Sequence, residues 1–346
     1  MRKTWFQGVS LVLGLALTPT AGWAANCGDT TGAGGTRVAC ACGDTVTTNT
    51  KLKNTDPVVS TSLADTCSGD GLAIEVSNVT LDCAKFALRG DNTSASDGVI
   101  VSDTDGVTVK RCTISGFETG IAVEYSTEFT IDNNTVQDNS EGVIVESGIA
   151  SSGDFGTIQN NTVQNSEVGI GLSETSSNTV KNNKVSNTFA GVAIVGDNVS
   201  QANVVTNNQV EDSVLGIAVV VGAQQNTIAN NRTKNNSIGV LVGFGSPLDG
   251  SDNNVVAGNR ADQNGAGILI FTNTNLVDAN LGSYNNEADG LAVVDGTGNS
   301  VSNNVFNNNG GHGVCADPDN LNAGGNAGHG NLTPPDVTFA GGCTFF

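Results

Sequence analysis

A glycine followed by a short apolar strand returns ten times along the chain. The copies are Gly98-Val99, Gly120-Ile121, Gly142-Val143, Gly169-Ile170 and Gly191-Val192, then Gly216-Ile217, Gly239-Val240, Gly267-Ile268, Gly290-Leu291 and Gly313-Val314. Successive glycines are 22, 22, 27, 22, 25, 23, 28, 23 and 23 residues apart. A base period near 22 with small additions means one structural turn per repeat and insertions placed in loops. Apolar residues alternate inside each copy, as in Val99/Val101, Ile121/Val123, Ile170/Leu172 and Ile268/Ile270. That alternation marks a strand with one buried face. No helical period lies between the strands, so a βαβ array is excluded. The chain must coil on itself, each strand stacking on its equivalent one turn away at ~4.8 Å. The glycine ahead of each strand is expected to supply a positive φ at a tight corner.

A second column keeps the same period. It comprises Asn133-Asn134, Asn160-Asn161, Asn182-Asn183, Asn207-Asn208, Asn230-Asn231 and Asn303-Asn304, with Gly258-Asn259 and Ala279-Asn280 in the same place. Asparagine tolerates the left-handed conformation of a turn, and stacked copies can bond along the column. These asparagines are read as structural ladders. The fold expected is all-β: a right-handed, single-stranded parallel β-helix of about ten to eleven turns. The expected division is a signal peptide over 1–24, a disulfide-rich N-terminal cap over 25–70, β-helix repeats over 71–316 and a C-terminal cap over 317–346.

Arg2 and Lys3 precede an apolar stretch over 9–17, and small residues surround a cleavage point after Ala24. This reads as a secretory signal, too short to span a membrane, and no later run is apolar enough for a span. Asn26 before Cys27 argues against lipidation. Eight cysteines in an exported chain read as disulfides. Cys42 with Cys67 and Cys315 with Cys343 are the favoured pairs. Zinc at Cys40-Ala41-Cys42 is disfavoured, because no histidine lies near. Localisation is therefore periplasmic or extracellular. The net charge of −20 excludes nucleic acid as a partner.

The repeats resemble the parallel β-helix repeat family, which includes pectate lyases, polygalacturonases, alginate epimerases and NosD-type periplasmic proteins. The resemblance covers about 36–316. The segments Cys42-Gly43-Asp44-Thr45-Val46, Cys67-Ser68-Gly69-Asp70-Gly71-Leu72 and Val79-Thr80-Leu81-Asp82-Cys83 look like the first turns of a secreted right-handed β-helix. The resemblance implies the fold and a polysaccharide or surface-glycan partner, but no one chemistry. Gly311-His312-Gly313 resembles a short polygalacturonase motif, yet that family's Asn-Thr-Asp, Asp-Asp and Arg-Ile-Lys are missing. His312 holds a corner slot filled elsewhere by Thr119, Glu141, Val168 and Asp289. Asp317-Pro318-Asp319 lacks the histidine of the epimerase motif, and the pectate-lyase arginine motif is missing too. An enzyme built here would be a polysaccharide lyase or a glycoside hydrolase. Asp70 and Asp82 read as turn and cap residues.

Three outward features remain. Glu124 and Glu146 hold one slot in neighbouring turns, flanked by Ser102 and Ser173. Carboxylates ~5 Å apart raise one pKa and match the separation in a retaining glycosidase. They are the catalytic candidates, and Ca²⁺ is the cation they would hold; no cofactor is required. Lys184, Gln209, Arg232 and Arg260 line up after the repeat asparagines and are the substrate-binding candidates for an acidic sugar chain, with neutralisation by Glu211 and Asp262 as the alternative. Ala193, Val195, Ala218, Val220, Leu241, Leu269, Phe271, Ala292 and Val294 make an outward apolar stripe that a soluble monomer does not leave bare. Val220, Leu241 and Phe271 are expected to stack in one line, covered by the insertion 246–254, by a second copy or by another protein. The two functions weighed are polysaccharide binding or processing and a non-catalytic surface or assembly role through that stripe.

Overall fold

The computed structural model describes residues 25–29, 36–62, 65–92, 95–146, 154–196, 199–244, 249–282 and 286–343. The signal segment 1–24 lies outside the described residues. Among them no helix is long and apolar enough to cross a membrane.

Each full turn carries three strands, for example Thr119–Glu124, Thr130–Asp132 and Thr135–Gln137. Every strand pairs in parallel with its equivalent in the turns on either side. One face is a separate sheet of twelve strands, and the other two faces join into a second sheet of 23 strands. The join falls at Thr162–Ser173 and Lys184–Val195, which run unbroken round a corner. The chain is a right-handed parallel β-helix of twelve turns rather than ten or eleven. The extra turns begin at Asp44–Val46 and Leu72–Ile74, which stack beneath the Gly98 strand. Gly43 and Gly71 carry their signature, at the same spacings of 28 and 27 that occur among the ten.

The interior is a stack of like residues. Val99, Ile121, Val143, Ile170, Val192 and Ile217 form one fully buried column, and Val109, Ile131, Ile158, Val180, Val205 and Ile228 form another. Each such side chain stabilises the fold by about 1.5–3 kcal/mol relative to exposure. Where the third face narrows to Gly282, Phe306 of the next turn fills the space: a Cβ at Gly282 would lie 2.4 Å from its ring.

The repeat glycines have a different cause from the one expected. None of the ten takes a positive φ. A Cβ on Gly216 would meet the Gly239 carbonyl oxygen at 2.3 Å, and one on Gly142 would meet that of Gly169 at 2.2 Å. Turns approach too closely at this corner for any side chain. The left-handed positions belong to Asn133, Asn160, Asn182, Asn207, Asn230 and Asn303, the first asparagine of each pair. The second asparagine is buried. In Asn134, Asn161, Asn183, Asn208, Asn231, Asn259, Asn280 and Asn304 the Nδ2 donates to the Oδ1 of the next turn's asparagine at 2.9–3.0 Å. Two further corners carry their own ladders, from Asn178 to Asn320 and from Asn236 to Asn331. At the C-terminal end the last members donate locally instead. Asn320 bonds the Asp317 carbonyl, Asn326 the Asn322 side chain and Asn331 the Asp336 carboxylate.

Four disulfides hold the two ends: Cys27–Cys40, Cys42–Cys67, Cys83–Cys112 and Cys315–Cys343. The outward stripe is covered within the single chain. Leu241 is 1% and Phe271 8% exposed, in a cluster with Leu269, Ala292 and Val294 against which Val220 and Cys343 pack. The C-terminal segment adds strand Val337–Thr338 to the last turn and returns Cys343 to Cys315. Cys315 itself continues the outward column Leu241, Leu269, Ala292. Leu241 is in register with Ala218 and Leu269, so Val220, Leu241 and Phe271 do not form one line, and Leu241 and Phe271 offer no open face to a second copy. Of the insertion expected as a cover, 246–248 lie outside the described residues.

Candidate functional site

The Gly-strand face turns polar in its early turns. Strands Asp97–Ser102, Thr119–Glu124 and Glu141–Glu146 stack in register, aligning Asp97 with Thr119 and Glu141, and Ser102 with Glu124 and Glu146. These two columns flank a cleft of about 110 Å³ lined by Asp97, Thr119, Ala122, Glu124, Ile144, Glu141 and Glu146. Alternation produces it: Val99, Val101, Ile121, Val123, Val143 and Val145 point into the core, leaving their neighbours outside. The cleft is smaller than an enclosing ligand pocket. It suits an extended chain lying across it.

Its carboxyls resist ionisation. Burial pushes Asp97 up to about 7; the charges of Asp70, Glu124 and Glu118 add to this, against a hydrogen bond from Thr119. Glu124 is raised by burial and then by Asp103, and Glu146 by burial and then by Glu124 and Glu174. Glu141 is raised by burial, then by Glu118, Glu146 and Glu167. A carboxyl still protonated near neutrality beside ionisable neighbours is the pairing that general acid–base chemistry needs. Glu124 and Glu146, backbones ~4.8 Å apart, are also the residues that could hold Ca²⁺. Asp97 and Glu141 were not singled out from sequence as site residues. Their signal was present, since Asp97, Thr119 and Glu141 each stand just before a repeat glycine.

The basic candidates lie on another face. Lys184, Gln209, Arg232 and Arg260 stack in register in successive turns. Arg260 pairs with Asp262 at 2.5 Å, and Gln209 donates to Glu211 at 2.6 Å. His312 is buried against Asp289, its Nδ1 3.2 Å from the carboxylate.

Residues 44–243 match the family model described as periplasmic copper-binding protein (NosD). Among solved structures, a double mutant of the periplasmic alginate epimerase AlgG aligns at 17% identity over 80% of this chain and 72% of that one, with a TM-score of 0.59. The A-module of the Azotobacter vinelandii mannuronan C-5 epimerase AlgE6 aligns at 15% identity over 84% and 87%, with a TM-score of 0.51. At these identities the likeness is one of fold. No curated protein sequence gives a match.

Copper favours thiolate, thioether and imidazole ligands, and this chain supplies few. It has two histidines and one methionine; His312 is committed to Asp289, and all eight cysteines are in disulfides. Asp289, Cys315 and Cys343 bring ligand atoms within 4.8 Å of one another, but both sulfurs are bonded to each other. The residues present do not fit a copper centre.

Proposed function

The chain belongs to the NosD family, and from that premise we propose that it is an exported β-helix protein that binds or processes polysaccharide at the acidic cleft. One observation carries the reading: four carboxyls with raised pKa values meet in a single surface cleft built by in-register strands. Hydroxyl-rich chains offer such a cleft hydrogen-bond donors, and an open groove admits a polymer end to end. Asp97 would give up a proton to a leaving oxygen. Glu124 or Glu146, once ionised, would act as base or nucleophile, the division of labour in carboxylate-based glycan cleavage. The alginate epimerases that share the scaffold act on a polysaccharide, which supports this reading. The N-terminal signal pattern and the disulfides, which persist in oxidising compartments, support export.

The test is a screen of neutral and acidic polysaccharides, with and without Ca²⁺, scored for new reducing ends and for unsaturated products. Wild-type protein is expected to act on or bind at least one class saturably. Asp97→Asn and Glu124→Gln are expected to lower turnover by about 10²–10⁴-fold. No product, and no saturable binding that Asp97→Asn or Glu124→Gln weakens, with any substrate overturns the reading.

A further inference from the structure

We infer that the basic column on the neighbouring face is a second, separate subsite, which grips the carboxylates of an acidic polysaccharide. It rests on the polysaccharide reading above and names a ligand class that the cleft does not. The column runs through strands Lys184–Val195, Gln209–Glu211, Arg232–Lys234 and Arg260–Asp262, in one register. Val185, Val210, Thr233 and Ala261 are buried between these positions, so Lys184, Gln209, Arg232 and Arg260 project outward. Three inter-turn steps span ~14 Å. Arg232, Lys234, Arg260, Asp262 and Gln263 line a groove of about 310 Å³.

Stability alone does not account for this arrangement. Arg232 lies directly opposite Arg260, and like charges so placed in a sheet are destabilising. Asp262 answers Arg260 at 2.5 Å, and Glu211 accepts from Gln209. Lys184, Arg232 and Lys234 make no ion pair among the described residues. Four cations thus face two carboxylates, Glu211 and Asp262, on a chain whose net charge is −20. A local rule broken with only partial compensation marks a candidate functional position. The column also has defined ends, since Lys184 is in register with Thr162 on one side and Arg260 with Leu281 on the other.

Guanidinium groups bind carboxylates through two parallel hydrogen bonds. Arginines repeated at a fixed rise fit a polymer that repeats its carboxylate, and a uronate chain does so at every sugar. The acidic cleft suits this role less, because its carboxyls, once ionised, repel a polyanion.

Calorimetric titration with oligogalacturonates, against neutral cello-oligosaccharides of equal length, tests the assignment. Uronate binding is expected and neutral binding at this groove is not. Arg232→Gln and Arg260→Gln should each weaken uronate affinity about tenfold with an unchanged circular dichroism spectrum. Glu211→Gln, which removes a competing negative charge, should tighten binding. That change of sign is one that a purely structural column would not give. Equal affinity for charged and neutral chains, or full affinity in the double arginine variant, overturns the inference. Failure of the cleft reading shows as missing product from every substrate and leaves these affinities in place; failure of the groove shows in the affinities alone.

Discussion

Asn208 binds both neighbouring turns through its side chain. Its Nδ2 donates to the Val180 carbonyl at 2.9 Å and to Asn231 Oδ1 at 3.0 Å, while its own Oδ1 accepts from the backbone and side chain of Asn183. Thr233 is the opposite case. It occupies an inward position otherwise held by Val185, Val210 and Ala261, is 0% exposed, and its hydroxyl has no hydrogen-bond partner among the described residues. Removing one partner of a buried bond strands the other, whereas replacing an unpartnered buried hydroxyl by a methyl relieves a desolvation penalty. Asn208→Ala is therefore expected to cost about 3 kcal/mol and Thr233→Val to gain about 1 kcal/mol. Urea midpoints measure both, and two shifts of the same sign would contradict this account. The ladder at Asn134 was legible in the sequence because doubled asparagines advertise it. The ladder through Asn178 was not, since its preceding residues vary among Ser177, Ala202, Gln225 and Thr274, all left-handed nonetheless.

At the level of strands, alternation and period were sufficient to order the repeats, because a residue buried in one turn is buried in all. They were insufficient for the ends. The segment that reaches the outward stripe has no periodicity of its own, and its partners Leu241 and Leu269 lie far back along the chain, so only the folded structure shows that the stripe is closed. Cys315–Cys343 fastens that closure. Replacing both cysteines by serine is expected to lower stability by about 2–4 kcal/mol. It should also raise binding of a hydrophobic dye, as Leu269 and Phe271 lose their cover, while the β-sheet spectrum stays. Wild-type dye binding in the double variant would show that the disulfide does not hold the cover.

For the molecule as a whole, two sets of carboxyls oppose one another as pH changes. Asp97, Glu124, Glu141 and Glu146 have raised values. The folded state binds more protons there than the unfolded one, so stability falls as pH rises from about 4 towards 7. Asp56 and Asp82 are the reverse: burial alone would raise them, but Arg37 and Arg111 more than offset it and hold both low. Their contribution is present above the ordinary carboxylate range and is lost below about pH 4. The melting temperature should thus peak at about pH 4, and Asp97→Asn should flatten the neutral limb; an unchanged slope between pH 5 and 8 would show that Asp97 ionises freely. The slots of Glu124 and Glu146 could be read from the repeat. The behaviour of Asp97 could not, because it depends on burial and on Asp70, Glu118 and Glu124 converging from other turns. The amide ladders bear on size as well. Each ladder asparagine's Oδ1 accepts from the turn before while its Nδ2 reaches the Oδ1 of the turn after, so the stack is vectorial, and a turn duplicated within its middle would be accepted on the same terms. Asp317, Asn322 and Asp336 receive the last donors and leave nothing for another copy to continue. The molecule's length is written as a stop signal at one end, not as a count of turns.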